Sequence, residues 1–124
     1  MAMLEHVNVT VADPAATAEM LCDLFGWRIR WEGDAMVSGH TKHVGGDDFY
    51  LAIFSPGETE PGDGRYQRRG ALNHLGVVVD DLDGAEEKVK AHGYTPVSHA
   101  AYEPGRRFYF TEENGIEIEV VSYA

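Results

Sequence analysis

The sequence predicts an α+β protein built from two β-α-β-β-β modules, whose eight strands form a curved sheet or cleft. A strand-like segment near the N-terminus recurs 68 residues later, and a helical stretch follows each copy. Short strand-like segments come after each helical stretch. The repeat indicates the architecture of the whole chain. Because the linker is short and each half is too small to fold as a separate domain, we expect one domain. It comprises module one at about residues 3–55, a linker at about 55–70 and module two at about 71–123.

Composition and charge narrow the classes of function. With 124 residues, 44% of them hydrophobic, the chain can bury the core of one domain. Its formal net charge of -11 repels phosphate groups, so we expect neither nucleic acid nor a membrane as a partner. No apolar run is long enough to span a membrane, and no basic, apolar leader is present, which favours a cytoplasmic protein. The single cysteine, Cys22, excludes an internal disulfide framework.

The repeat aligns LEHVNVTVAD, which begins at Leu4, with LNHLGVVVDD, which begins at Leu72. Side chains alternate between the two faces of a strand, and the valines of each copy are expected to pack under the helix that follows. His6 and Asn8 then lie on the opposite face of the first copy, and His74 lies on that face of the second. The repeat therefore places two histidines at equivalent positions, away from the helices.

Each copy continues into a helix with recognisable ends. The first helix has Asp13 as its N-cap and Pro14 at its first position, and Gly26 ends it. The second helix begins at about Asp81–Asp83 and ends at Gly93. Both helices therefore run between an acidic cap and a glycine.

Three short strands are expected after each helix. Gly-containing segments at 44–47 and 112–115 have the turn chemistry of hairpins. The segment SPGETEPGDGRYQRRG, from Ser55, is rich in glycine, proline and charge and is typical of a linker. The expected strands are residues 27–32, 35–43 and 48–54 in module one, and 95–101, 107–111 and 115–122 in module two.

The last strand adds carboxylates to the face that holds the histidines. In GIEIEVV the isoleucines alternate with Glu117 and Glu119, so the isoleucines face the helices and the glutamates face the other way. Two imidazoles and one carboxylate suit a first-row divalent metal and leave coordination positions open for a substrate. Two other interpretations remain open: His6 as a half-buried strand histidine, and Glu119 on the solvent face of its strand.

Three segments connect the chain to a known family. They are LEHVNVTVADPAATAEMLCDLFGW, LNHLGVVVDDLDGAEEKVKAHGY and FYFTEENGIEIEVV, and together they span residues 4–122 in order. In these segments the chain resembles the vicinal oxygen chelate superfamily, which includes glyoxalase I, bleomycin and fosfomycin resistance proteins, and extradiol dioxygenases. The resemblance implies a glyoxalase-like fold, in which paired modules form a U-shaped cleft that holds a divalent metal.

The resemblance also implies site residues. The metal ligands of the family fall on His6, His74 and Glu119, and an active-site tyrosine of the fosfomycin and dioxygenase branches falls on Tyr109. Glyoxalase I has a fourth ligand, a carboxylate, where this chain has Ala52, which argues against that activity. The stretch before Tyr109 lacks the serine and lysine loops of the fosfomycin branch, and the last strand of module one lacks the extra histidine of the dioxygenases.

Substrate contacts can be expected at three further residues. Asn8 lies next to His6 on the same face, and Arg106 and Arg107 follow a Pro-Gly turn at 104–105. The arginines either bind an anionic group of the substrate or are surface charge in an acidic protein. Asn8 either binds substrate or lines the cleft wall, and Tyr109 either contributes its hydroxyl or packs between strands. Four other side chains line an apolar pocket or belong to the core: Trp27, Met36, Tyr50 and Phe54.

The function expected from these residues and the resemblance is that of a metal-dependent enzyme. It would bind iron, manganese, zinc or nickel and act on a small oxygen-bearing organic molecule, with isomerase or lyase chemistry favoured. An extradiol-type ring-cleaving dioxygenase is one alternative. A metal-free protein that sequesters a small molecule, as bleomycin resistance proteins do, is another. We expect a homodimer, because the open sheet edges of two half-barrels tend to be paired.

Overall fold

The chain folds as two β-α-β-β-β modules, which confirms the fold class predicted from the repeat. The computed structural model contains two units, Met1–Glu60 and Pro61–Ala124. No helix among the described residues is long and apolar enough to cross a membrane. The structure describes residues 1–36, 38–102 and 105–124, which leaves out Val37, predicted in a strand, and Pro104, predicted in a turn, together with Glu103.

Module one is a four-stranded mixed sheet with one helix. The sheet has the order β1-β4-β3-β2, in which β1 is parallel to β4 and the other neighbours are antiparallel. The parallel pair requires a crossover, and α1 is part of it. The elements are β1 (His6–Thr10), α1 (Pro14–Phe25), β2 (Arg28–Asp34), β3 (His40–Gly45) and β4 (Tyr50–Ser55).

The ends of α1 follow the predicted caps. The Asp13 carboxylate accepts the backbone N–H groups of Ala15 and Ala16 at 3.1 and 3.3 Å. Gly26 adopts a left-handed conformation with φ of +70°, and its N–H donates to the Cys22 carbonyl at 2.9 Å. Both contacts satisfy backbone groups that a helix leaves unpaired at its ends.

The core of module one lies between α1 and one face of the sheet. From the helix, Met20, Leu21 and Leu24 are buried, and from the sheet Val44 and Ile53 are fully buried. Burial of a large aliphatic side chain contributes about 1.5–3 kcal/mol. The candidate site residues of this module lie on the opposite face of the sheet, away from α1.

One predicted strand begins later than expected. The sequence places a strand at 35–43, but β3 begins only at His40. The N–H of Ala35 donates to the Gly39 carbonyl at 3.0 Å, which closes a turn. Gly39 has φ of +88°, and a Cβ there would collide with the Ser55 carbonyl, so only glycine fits. The remaining strands differ from the predicted bounds by a few residues at their ends.

Module two repeats this arrangement, with the sheet order β5-β8-β7-β6 and β5 parallel to β8. Asp81 caps its helix by accepting the Gly84 N–H at 3.0 Å. The helix buries Ala85 and Val89 against a sheet face that contains the fully buried Phe108. The elements are β5 (Leu75–Val78), α2 (Leu82–Ala91), β6 (Val97–Tyr102), β7 (Gly105–Thr111) and β8 (Glu117–Ser122).

Candidate functional site

Three side chains of module two converge on the carboxylate of Glu119. His74 Nε2 lies 3.1 Å from Glu119 Oε1, and the Tyr109 hydroxyl donates to the same oxygen at 2.9 Å. Arg107 Nη1 donates to Oε2 at 2.8 Å. The side chains of Arg107 and Glu119 are only 11% and 13% exposed, so this ion pair is largely removed from solvent. The structure therefore brings together four of the predicted site residues.

Strand register explains this convergence. Tyr109 of β7 pairs directly with Glu119 of β8, so both side chains leave the same face of the sheet. Arg107 lies two residues before Tyr109 and points the same way, whereas Arg106 points the other way. Arg106 is more than half exposed, and its Nη1 lies 3.5 Å from Asp83 of α2. The predicted role of Arg106 in substrate binding stays a prediction.

The imidazole of His74 has an oxygen neighbour at each nitrogen. Its Nδ1 lies 2.6 Å from the Asn73 side-chain oxygen, and its Nε2 faces Glu119 Oε1. A neutral imidazole has a single N–H group. If Nδ1–H donates to Asn73, Nε2 presents its lone pair to a carboxylate oxygen, an approach that becomes favourable with a proton or a metal cation between the two atoms.

His6 in module one has the same local arrangement. Its Nδ1 lies 2.9 Å from Glu5 Oε1, just as His74 Nδ1 contacts Asn73. In both modules, the residue that precedes the histidine therefore supplies an oxygen to Nδ1 and leaves Nε2 for another ligand. Histidines that bind metals commonly have such a hydrogen-bond partner at the second nitrogen, because it fixes the tautomer and the ring orientation.

Ala52 in module one occupies the place that Glu119 has in module two. Ala52 pairs with Asn8 of β1, and Glu119 pairs with Gly76 of β5, the residue that the repeat aligns with Asn8. Ala52 is buried, with 3% of its surface exposed. The structure thus provides a methyl group where module two has a carboxylate.

His43 is a residue of this face that the sequence interpretation left unassigned. It pairs with Ala52 across β3 and β4, as Tyr109 pairs with Glu119 in module two. The face of the sheet on which His43 lies depends on where β3 begins. Because the turn before that strand could not be placed from the sequence, strand parity did not predict the face. Burial first, and then the neighbouring His6 and Arg30, lower the pKa of His43 below its ordinary value. The lowered pKa favours the neutral form of the imidazole.

Four rings of module one follow one another in a row, called here the aromatic stack, in the order His6, Tyr50, His43 and Trp31. The first three rings are stacked, and Trp31 is tilted by 48° against His43. The centroid distances are 4.8 Å between His6 and Tyr50, 4.4 Å between Tyr50 and His43, and 4.9 Å between His43 and Trp31. These separations lie at the short end of the range for aromatic pairs. The stack crosses the sheet from β1 at one edge to β2 at the other.

A cavity of about 680 Å³ lies on the same face of module one, beside Trp31. Met36 and Phe54, two of the four residues predicted to line an apolar pocket, do line it, and Trp31 is a lining residue that the prediction missed. Trp27 packs instead against Phe25 and Phe49, at centroid distances of 5.2 and 5.1 Å. Asn8 and His43 supply polar groups to the cavity wall.

Residues of the predicted linker contact module two near the site. The Tyr66 hydroxyl donates to Glu117 Oε2 at 2.7 Å, and Arg65 Nε donates to the Asn73 carbonyl at 3.0 Å. The side chain of Glu117 is only 19% exposed. The linker sequence has no periodic pattern that would predict these contacts. Its composition predicts only a connecting segment.

The donor set of module two is suitable for a divalent cation, although it is incomplete by itself. Two ligands that each lie about 2.1 Å from one cation at a right angle are about 3 Å apart, and His74 Nε2 and Glu119 Oε1 are separated by 3.1 Å. Over residues 1–36, 38–102 and 105–124, no group of three or more His, Cys, Asp or Glu side chains is arranged to hold a metal ion. His6, the third predicted ligand, belongs to the other unit.

Several solved structures share this fold. A glyoxylase/bleomycin resistance protein/dioxygenase domain from Frankia sp. EAN1pec has a TM-score of 0.83 and 18% identity, over 98% of this chain and 92% of that chain. The fosfomycin resistance protein FosX from Mesorhizobium loti has a TM-score of 0.74 and 22% identity, over 97% and 90%. FosX from Listeria monocytogenes, complexed with Mn(II) and sulfate, has a TM-score of 0.72 and 19% identity, over 98% and 93%.

Sequence comparison gives the family. A search of curated proteins finds no match. The profile of the Glyoxalase/Bleomycin resistance protein/Dioxygenase superfamily matches residues 3–120, which is nearly the whole chain. With its two β-α-β-β-β modules, the chain therefore belongs to the glyoxalase/bleomycin resistance protein/dioxygenase superfamily.

Proposed function

We propose that the chain is a divalent-metal-dependent enzyme that acts on a small oxygen-bearing organic molecule, with His6, His74 and Glu119 as the metal ligands. The main support is the contact of His74 Nε2 with Glu119 Oε1, at a separation that fits two ligands of one cation. The Mn(II) in the FosX structure from Listeria monocytogenes shows that a protein of this fold takes such a metal. Iron, manganese, zinc and nickel all suit the nitrogen and oxygen donors.

Neighbouring side chains orient the proposed ligands. Asn73 contacts His74 Nδ1, and Glu5 contacts His6 Nδ1, so each imidazole is held with Nε2 available. Arg107 holds the Oε2 atom of Glu119 and leaves Oε1 on the side of His74. These contacts fix the ligands in advance, which lowers the entropic cost of binding a cation.

Tyr109 is the residue proposed to act on the substrate. Its hydroxyl lies 2.9 Å from Glu119 Oε1, so it is within reach of a molecule bound beside that carboxylate. A divalent metal, when bound, would polarise a substrate oxygen as a Lewis acid. The Tyr109 O–H would then donate a hydrogen bond or a proton to the substrate, a role suited to isomerase or lyase chemistry. Ring-cleaving dioxygenation by the same ligand set is the alternative reaction.

We further propose that the protein works as a homodimer in which His6 of one chain joins His74 and Glu119 of its partner. In each sheet the strand with the aligned histidine segment, β1 or β5, lies at an edge. Unpaired edges tend to be covered or paired in natural proteins. The segment between β4 and β5 is long enough for modules to recombine between chains, as in domain swapping.

A second function is supported by the cavity of module one. A metal-free protein that sequesters small molecules needs an apolar pocket and no catalytic group, and the cavity beside Trp31 meets the first requirement. Metal binding separates the two proposals, because sequestration requires no metal ligands.

The test is a calorimetric titration of chelator-treated protein with Zn²⁺ and Mn²⁺. We expect one site per chain, with affinity at least roughly tenfold lower in His6→Ala, His74→Ala and Glu119→Gln. His99→Ala is the matched control, because His99 is exposed and pairs with Glu86 on the surface. Unchanged affinity in a folded Glu119→Gln variant would contradict the assignment.

A further inference from the structure

The cavity of module one has the size of a binding site for a small molecule. Its volume of about 680 Å³ falls within the roughly 300–1,000 Å³ of sites that enclose drug-sized ligands. It adjoins the sheet row in which Asn8, Ala52, His43 and Trp31 pair in succession. In module two the equivalent row holds the Glu119 carboxylate, where module one has the methyl group of Ala52.

The aromatic stack indicates the shape of the ligand. Trp31 is the last ring of the stack, it lines the cavity, and 49% of its surface is exposed. His43 contacts its indole at a centroid distance of 4.9 Å, with the two ring planes tilted by 48°. Met36 and Phe54 add apolar surface to the cavity wall. A flat ring can continue the stack, because aromatic rings gain offset-stacked or edge contacts at such separations.

The polar groups of the cavity indicate the charge of the ligand. Asn8, Ser38 and Thr41 offer neutral hydrogen-bonding groups, and Asp34 is the one Asp, Glu, Lys or Arg among the described lining residues. An anionic ligand would meet Asp34 with no lysine or arginine in that lining to compensate. Burial is the largest cause that lowers the pKa of His43, and the lowered pKa favours its neutral form. A hydroxyl or carbonyl oxygen can therefore exchange hydrogen bonds with Asn8 or His43.

We propose that this cavity binds an uncharged aromatic ring that bears a hydroxyl or carbonyl oxygen, stacked against Trp31. The inference deepens the proposed function, on which it rests for the idea that the bound molecule is a substrate, by naming the class of that substrate. Binding itself requires only module one, so it can be measured with no metal present.

The experiment is a titration of the chelator-treated protein with 2-naphthol, followed by the indole N–H resonances in ¹⁵N-resolved NMR spectra. The chain has two tryptophans, and Trp27→Phe assigns the pair. We expect the Trp31 resonance to shift with saturation while the Trp27 resonance, from a ring packed against Phe25 and Phe49, stays in place. No saturable shift of Trp31, or equal shifts of both resonances, would overturn the proposal.

Two analogues test the ligand class. Decahydro-2-naphthol has the same oxygen without the flat ring and is expected to bind roughly three- to tenfold more weakly. 2-Naphthoate has the ring with a negative charge and is expected to bind at least about tenfold more weakly. Equal or tighter binding of either analogue would contradict the assigned class.

Variants locate the site. Trp31→Leu keeps an apolar side chain but removes the ring, and it should weaken 2-naphthol binding by roughly tenfold. The matched control is Ile29→Ala on the same strand, because Ile29 is similarly exposed and pairs with the helix-facing Val44. Equal effects of the two variants would overturn the site.

The two proposals fail separately. If 2-naphthol binds the chelator-treated protein but no metal binds, the cavity is confirmed as a binding site and the metal-dependent enzyme is refuted. If metal binds and 2-naphthol does not, the ligand class is refuted and the metal site stands.

Discussion

Ala52 and Glu119 occupy equivalent positions in the two modules, one as a buried methyl group and the other as a carboxylate held by three side chains. The repeat is therefore symmetric in its backbone and asymmetric in its chemistry. Glu119 has a histidine, a tyrosine and an arginine around it, whereas Ala52 lies between Asn8 and His43, and these two neighbours line the cavity.

The first prediction concerns the ligand that Ala52 cannot supply. Isomerisation of the glutathione hemithioacetal, the glyoxalase I reaction, should be negligible with added nickel or zinc, because a methyl group stands where that enzyme has a carboxylate ligand. A spectrophotometric assay with metal-loaded protein measures it. Robust, metal-dependent turnover of this substrate would show that Ala52 does not mark a lost ligand.

The second prediction concerns the ion pair behind the proposed site. Arg107→Gln should lower the free energy of unfolding by roughly 1–3 kcal/mol, because it leaves the largely buried Glu119 carboxylate without its charged donor. Arg106→Gln is the matched control, since Arg106 lies on the other face in an exposed pair with Asp83. Such pairs contribute about 0–1 kcal/mol.

Urea unfolding of the wild-type protein and both arginine variants gives the comparison. We expect a clear loss of free energy of unfolding in Arg107→Gln and only a small change in Arg106→Gln. Equal losses in the two variants would mean that the Arg107–Glu119 pair contributes no more than an exposed one.

The third prediction is a pH dependence of stability at Tyr94. Its hydroxyl donates to both carboxylate oxygens of Glu113 at 2.7 Å, and its ring packs against Phe110. Burial, then the hydrogen bond to Glu113, raises the pKa of Tyr94 above its ordinary value. Because the folded-state pKa exceeds the unfolded-state value of 10.0, the stabilisation is fully present below that pH and is lost as the pH rises above it.

Tyr94→Phe provides the measurement. Between roughly pH 10 and 11.5, above the ordinary tyrosine pKa, the wild-type protein should lose more free energy of unfolding than the variant. Parallel pH profiles for the two proteins would contradict the inferred role of the Tyr94–Glu113 hydrogen bond.

The architecture could be predicted from the sequence because the same pattern of elements occurs in both halves of the chain. The alternation of valines with polar residues, the aspartate caps and the glycine stops all recur, and each pattern gave the right element type. The strand at 35–43 was the exception. Its early residues belong to a turn that depends on Gly39 fitting against the Ser55 carbonyl, a contact between distant residues that no local pattern contains.

The candidate site was predictable only in part, for the same reason. Strand parity placed His74 and Glu119 on one face, and the family resemblance added Tyr109, which the register of β7 with β8 pairs with Glu119. Parity could not place His43, because it follows the turn at Gly39, and it did not choose between Arg106 and Arg107 before the hairpin was known. The contacts of Tyr66 and Arg65 depend on how the linker lies over module two.

The fourth prediction concerns the proposed homodimer. If each site combines His6 of one chain with Glu119 of its partner, a mixture of His6→Ala and Glu119→Ala proteins should regain metal after subunit exchange. One intact site per mixed dimer limits the recovery to about half of the wild-type occupancy when that dimer dominates. No recovery, despite demonstrated exchange, would mean that each chain forms its site alone.

The most direct measurement is the metal content of the protein purified without a chelator and without a histidine tag. Elemental analysis by mass spectrometry, on wild type and Glu119→Gln in parallel, gives the stoichiometry. We expect about one divalent metal per wild-type chain and a strong loss in the variant, because His6, His74 and Glu119 are the proposed ligands. Wild-type protein that is metal-free, and stays so after incubation with manganese, iron, zinc or nickel, would contradict the metal enzyme and favour sequestration.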